Sequence, residues 1–82
     1  MVEKSVVVTS FLEPSAVALL VQAASKFKSR ISLIVDEKTA NAKSIMGIIS
    51  LNVQEGQPIT IMADGEDAAE AVPALQRFFS KG

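Results

Sequence analysis

The sequence contains no histidine and no cysteine. Without cysteine there are no disulfides, thiolate metal sites or cysteine nucleophiles. Without histidine the chain lacks the usual general acid–base group at neutral pH and the commonest metal ligand. Tryptophan and tyrosine are also missing, which leaves few rings on which a strand face could stack bases. Eight basic residues face nine acidic ones, for a net charge of −1. With no basic block in the chain, electrostatic binding of nucleic acid is not expected. Long apolar runs are lacking as well. The longest, Ala16 to Val21, falls far short of the roughly 20 residues that span a membrane. The start, Met1-Val2-Glu3-Lys4, has no basic-then-apolar leader pattern. A cytoplasmic protein away from the membrane is expected, and nothing calls for a cofactor or a metal.

What the chain does have is apolar bulk, 49% of 82 residues. That supports one packed domain over residues 1–82, its core gathered from every element because a chain this small buries only about 60% of its surface. Val2, Lys4, Val6 and Val8 share one face of a first strand, and Ser10 to Glu13 form a loop. Pro14 suits the first helical position, where its missing N–H matters least. Val17, Leu20, Val21 and Ala24 follow at helical spacing, predicting a helix to about Phe27. Ile31, Leu33 and Val35 alternate in a second strand. Asp36-Glu37-Lys38 turns, and Lys38 to Ala42 returns as a third strand.

Ser44 stands ahead of Ile45, Met46, Ile48, Ile49 and Leu51 as the natural N-cap of a short helix,. Gly47 inside it costs roughly 1 kcal/mol against alanine, so the helix depends on packing. After a turn at residues 54–58, Ile59, Ile61 and Ala63 alternate in a fourth strand. Asp67-Ala68-Ala69-Glu70 fits a capping box opening a last helix through Phe79,. Pro73 is awkward there: either the helix kinks, or it starts near Val72 with Pro73 in its first turn. Gly56 and Gly65 read as turn residues needing unusual backbone angles. The order βαββαβα implies an α+β open-faced sandwich, a four-stranded antiparallel sheet with three helices on one face.

Two stretches carry a resemblance. Val21-Gln22-Ala23-Ala24-Ser25-Lys26-Phe27 resembles the first helix of the HPr phosphocarriers of the phosphotransferase system. Asn41-Ala42-Lys43-Ser44-Ile45-Met46-Gly47-Ile48-Ile49-Ser50-Leu51 resembles their regulatory serine segment. The likeness extends through Gly56, the Ile59 strand and Gly65-Glu66-Asp67, over nearly the whole chain. In the family, the loop before the first helix carries a phosphoryl-accepting histidine, then alanine, arginine and proline. Alignment on Val21-Gln22 puts Glu13 at the histidine position, Pro14 at the alanine, Ser15 at the arginine and Ala16 at the proline. The first three changes oppose phosphoryl transfer. Pro14 has no N–H to offer, Ser15 has no charge, and Glu13 repels an incoming phosphoryl donor.

Ser44 has two compatible readings. As a cap its hydroxyl contributes about 1 kcal/mol. By the resemblance it is the target of an ATP-dependent HPr kinase/phosphorylase. A phosphate there faces the positive end of a helix dipole and need not unfold the helix. The resemblance then implies a regulatory phosphoprotein in carbon catabolite repression and sugar transport, not an enzyme. Once phosphorylated, it would act as corepressor of a LacI-type catabolite control repressor. Ile45, Met46 and Ile49 would be the docking surface, assisted by Lys43, whereas Ile48 and Leu51 belong to the core. The alternative is a module that needs no phosphorylation and docks on a carbohydrate enzyme or transporter in place of HPr. In that case Glu13 acts as a permanent charge, although a solvated carboxylate at a helix start is the plainer reading of that residue. Asp36-Glu37 and Glu66-Asp67 read as turn and cap, and Lys26, Lys28 and Arg30 as a solvated edge. Some members of the family exchange their first strand, so both a monomer and a strand-exchanged homodimer are open.

Overall fold

The computed structural model describes residues 1–9 and 14–79. Within them lie strands β1 (Val2–Val7), β2 (Arg30–Val35), β3 (Lys38–Asn41) and β4 (Pro58–Asp64), and helices α1 (Pro14–Ser25), α2 (Ile45–Leu51) and α3 (Ala68–Gln76). The strands form one antiparallel sheet in the order β1-β4-β2-β3. This is the α+β open-faced sandwich expected from the alternation.

Strand side chains repeat every two residues, so the apolar alternation selects the covered face. Ile31, Leu33 and Val35 of β2 and Ile59, Ile61 and Ala63 of β4 are buried on it. The central pairings Ile31↔Ala63 and Leu33↔Ile61 bring these rows side by side. The helices seal them with Val17, Leu20 and Ala24 of α1, Ile48 and Leu51 of α2, and Ala71, Val72 and Leu75 of α3. Phe79, just past α3, is fully buried beneath them. The opposite face carries Ser5, Ile34, Thr60 and Met62, none of them buried. There Ser5 and Thr60 share a hydrogen bond at 3.1 Å between directly paired positions.

The ends of β1, α1 and β3 differ from the sequence expectation, β1 stopping at Val7, and α3 decides between its two expected starts. Helix α1 ends at Ser25, because Lys26 and Phe27 switch to i→i−3 bonds on Ala23 and Ala24 that tighten its exit. Strand β3 ends at Asn41, with Ala42 still donating to the Ile31 carbonyl at 2.9 Å. Helix α3 begins at Ala68 and contains Pro73, which rules out a start near Val72. Pro73 is exposed, so its ring lies on the solvent side of the helix while Val72 and Leu75 face the core. After Gln76 the chain continues in i→i−3 turns through Phe78 and Phe79.

Candidate functional site

The site expected at α2 is assembled from a short polar approach and an apolar helix. The Ser44 backbone is extended (φ −117°, ψ 115°), and its hydroxyl accepts the Gly47 N–H at 3.1 Å. That bond satisfies one of the donors a helix start leaves unpaired. Gly47 sits where an added Cβ would lie 3.3 Å from the Ser44 hydroxyl and 3.4 Å from the Ala40 side chain. Its lack of a side chain therefore lets α2 settle both on its cap and on β3. Ser44 is half-buried, not sealed.

Around it the helix divides as expected. Ile48 and Leu51 are buried. Ile45, Met46 and Ile49 are 46%, 73% and 54% exposed, forming an apolar ridge beside the hydroxyl. Lys43 does not extend freely from this ridge. Its Nζ donates to the Phe27 carbonyl at 2.9 Å, and its backbone N–H donates to Asn41 Oδ1 at 2.8 Å. The ammonium thus ties the approach to α2 to the exit of α1.

The other expected site gives less. Pro14 is the first residue of α1, and Pro14 and Ser15 are both exposed. No acidic residue lies in the first turn of that helix. Glu13 lies outside the described residues.

The capping box expected at Asp67 does not form. Asp67 precedes α3, but its side chain makes no capping bond. Its carboxylate instead accepts from the backbone N–H of Lys28 at 2.8 Å, the backbone N–H of Ser29 at 2.9 Å, and the Ser29 hydroxyl. Ser29 is the one buried polar side chain among the described residues, so its hydroxyl needs a partner. The Ser29 hydroxyl first, and then the Lys28 N–H, hold the Asp67 carboxyl below its ordinary value of 3.8, because both bonds favour the charged form. Gly65 makes this approach possible: a Cβ there would lie 2.7 Å from Ser29 Cα. The sequence pattern did not expose this latch. Asp67 and Ser29 are 38 positions apart, and only the fold brings them together.

Comparison with known proteins decides the family. The model of the phosphotransferase-system HPr component phosphorylation site matches residues 2–81. The chain belongs to the HPr family. It is 45% identical to the HPr-like protein Crh of Halalkalibacterium halodurans, across 99% of each chain. The crystal structure of the phosphocarrier protein HPr of Bacillus anthracis superposes with a TM-score of 0.91 at 44% identity, covering 96% of each chain. The Bacillus subtilis catabolite-repression protein Crh, a dimer with a swapped domain, superposes with a TM-score of 0.78 at 40% identity, covering 96% of this chain and 93% of that one. The open-faced sandwich of this HPr-family chain is thus the fold of its HPr relatives. Proteins of the family are phosphocarriers and not enzymes, and no helix among the described residues is long and apolar enough to cross a membrane.

Proposed function

We propose that this HPr-family chain is a regulatory phosphoprotein without phosphohistidine carrier activity. HPr kinase/phosphorylase phosphorylates it on Ser44. The product is a corepressor of a LacI-type catabolite control repressor. The observation that carries this reading is the contrast between its two helix starts. The chain has no histidine, and α1 opens on Pro14 with uncharged Ser15 behind it. The α2 start keeps a half-buried serine next to an exposed apolar ridge. A phosphate on Ser44 adds about −1.5 to −2 charges at the edge of Ile45, Met46 and Ile49, a combined charged and apolar surface that a partner can read. Lys43 acts in this reading by fixing the approach to Ser44, and the whole HPr-like domain acts as one unit. Glu13 would add to the failure of phosphotransfer.

Incubation with HPr kinase/phosphorylase and ATP, followed by mass spectrometry, is expected to place one phosphate on Ser44 and none on Ser44→Ala. The phosphorylated form is expected to bind the repressor and the unmodified form to bind it far more weakly. Phosphoenolpyruvate with enzyme I is expected to label neither. Absence of phosphate on Ser44, or labelling by enzyme I, overturns the reading.

The exposed ridge also supports a second reading, a module that docks on a carbohydrate enzyme or transporter without modification. Binding to such a partner that survives Ser44→Ala and is lost in Met46→Asp would select it. As to assembly, among the described residues β1 lies at the sheet edge and pairs with β4 alone. Exchange of β1 between copies would preserve its ladder, and size-exclusion chromatography separates monomer from strand-exchanged homodimer.

A further inference from the structure

A cleft of about 560 Å³ that includes none of the exposed apolar residues of α2 is lined by Lys28, Arg30, Ile31, Asn41, Lys43 and Asp64. Its volume lies within the roughly 300–1,000 Å³ of small-molecule sites, but its lining is polar, with three cations and one carboxylate. The sheet register builds it. Arg30 opens β2 directly across from Asp64 at the end of β4. On the other side of β2, the Ala42 N–H donates to the Ile31 carbonyl at 2.9 Å, which brings the next residue, Lys43, alongside Arg30. Neighbouring strands run about 4.8 Å apart, so two cations and one carboxylate are held side by side on three adjacent chain segments.

The Lys43 ammonium is held in place by the Phe27 carbonyl at 2.9 Å, whereas Asp67 fixes only the Lys28 backbone N–H, at 2.8 Å, and leaves its ammonium reaching into solvent. Asn41 spends its oxygen on the Lys43 N–H, leaving its NH2 group as the donor it can offer. The charges are not balanced from within. Among the described residues the one ion pair within 4.0 Å joins Lys28 to Glu66 at 3.4 Å, with side chains 82% and 75% exposed, a geometry that contributes little. Arg30 and Asp64, though paired across the strands, make no such contact. Arg30 and Lys43 line the same cleft, and an anion between them offsets the repulsion of their like charges. Three of the chain's eight basic residues meet here on a protein of net charge −1.

We infer that this cleft is a binding site for a small phosphorylated sugar or polyol. Arg30, Lys28, Lys43 and the Asn41 amide take the phosphate oxygens. Asp64 accepts from the hydroxyls, and Ile31 forms the apolar floor. Arg supplies a forked donor pair that matches a phosphate, and Lys a point charge. The carboxylate is what distinguishes this site from a plain anion site, because it disfavours bare phosphate and rewards a ligand with hydroxyl donors beside its charge.

The inference is independent of the Ser44 reading, and the test keeps them apart. The full chain, isotopically labelled, is titrated with ribose 5-phosphate, inorganic phosphate, ribose and poly-glutamate, following backbone amide shifts. Ribose 5-phosphate is expected to give a saturable response at Lys28, Arg30, Asn41 and Lys43, with inorganic phosphate weaker and ribose silent. Lys28→Gln/Arg30→Gln is expected to lower affinity about tenfold through loss of two charge-assisted contacts, with the rest of the spectrum unchanged and Ser44 still a kinase substrate. Asp64→Asn is expected to erase the preference for ribose 5-phosphate over inorganic phosphate. The inference is overturned by shifts that never saturate or fall equally on Lys4 and Lys38, by affinity that ignores Lys28→Gln/Arg30→Gln, or by tighter binding of poly-glutamate at the same residues.

Discussion

Ser44 and Asp67 hold equivalent places, each one residue ahead of a helix, and each is a residue type that caps helices well. They behave oppositely. Ser44 turns its oxygen forward onto the Gly47 N–H of its own helix. Asp67 turns its carboxylate away from α3 and onto Lys28 and Ser29, between α1 and β2. A short hydroxyl with one local donor in reach makes a local cap. A carboxylate with two oxygens, placed beside two backbone N–H groups and a buried hydroxyl, does better by answering three donors at once. Helix α3 begins without that side-chain bond, its first turn carried by backbone bonds from Glu70 and Ala71 to the Asp67 carbonyl and the helix as a whole by four buried side chains.

Removing each residue tests the contrast. Asp67→Ala strands three donors, two of them on buried Ser29, where Ser44→Ala strands one. Thermal unfolding is expected to show a fall in Tm roughly two to three times larger for Asp67→Ala. The same carboxylate sets a pH signature. Its folded pKa is lowered, so its contribution is fully present above the unfolded value and is lost as pH drops below about 4 through the folded pKa. Denaturant melts of wild type are expected to weaken over that acid range, and those of Asp67→Asn to weaken less steeply. Equal slopes would mean that the latch does not couple to the proton.

Gly65→Ala attacks the latch from the other side. Its methyl meets Ser29 Cα, and forcing the two backbones apart is expected to cost about 2 kcal/mol by denaturant titration. Ser44→Ala is expected to cost about 1 kcal/mol, or about 4–8 °C in Tm for a domain of this size. Ser44→Asp should restore most of that, since aspartate caps as well as serine. The smallest effect belongs to Glu66→Gln. It breaks the exposed Lys28–Glu66 pair beside the latch and is expected to change stability by less than about 0.5 kcal/mol. A larger loss there would show that the Asp67 latch leans on its neighbour.

The candidate site was readable where its signals are local. Ser44 as a cap and Ile48 and Leu51 as core are local readings that hold in the fold, and Ile45, Met46 and Ile49, set apart as a docking surface by the family resemblance, are exposed. Lys43 was expected to assist docking, and the sequence did not show that its ammonium is bound to Phe27, 16 positions earlier. Lys28 and Arg30 looked like a solvated edge, and only strand pairing sets them with Lys43 and Asp64 around a cleft. The Asp67 reading failed for the same reason: a competing set of donors lay far away in the chain.

By itself, the amino-acid sequence determined which face of each strand and helix goes inside, because periods of two and of about 3.6 are written in neighbouring residues. It also settled that phosphohistidine chemistry has no residue to run on. The tertiary structure alone decided where polar side chains spend their hydrogen bonds. A carboxylate or ammonium takes the donors or acceptors that folding brings within about 3 Å, and sequence spacing does not record that distance.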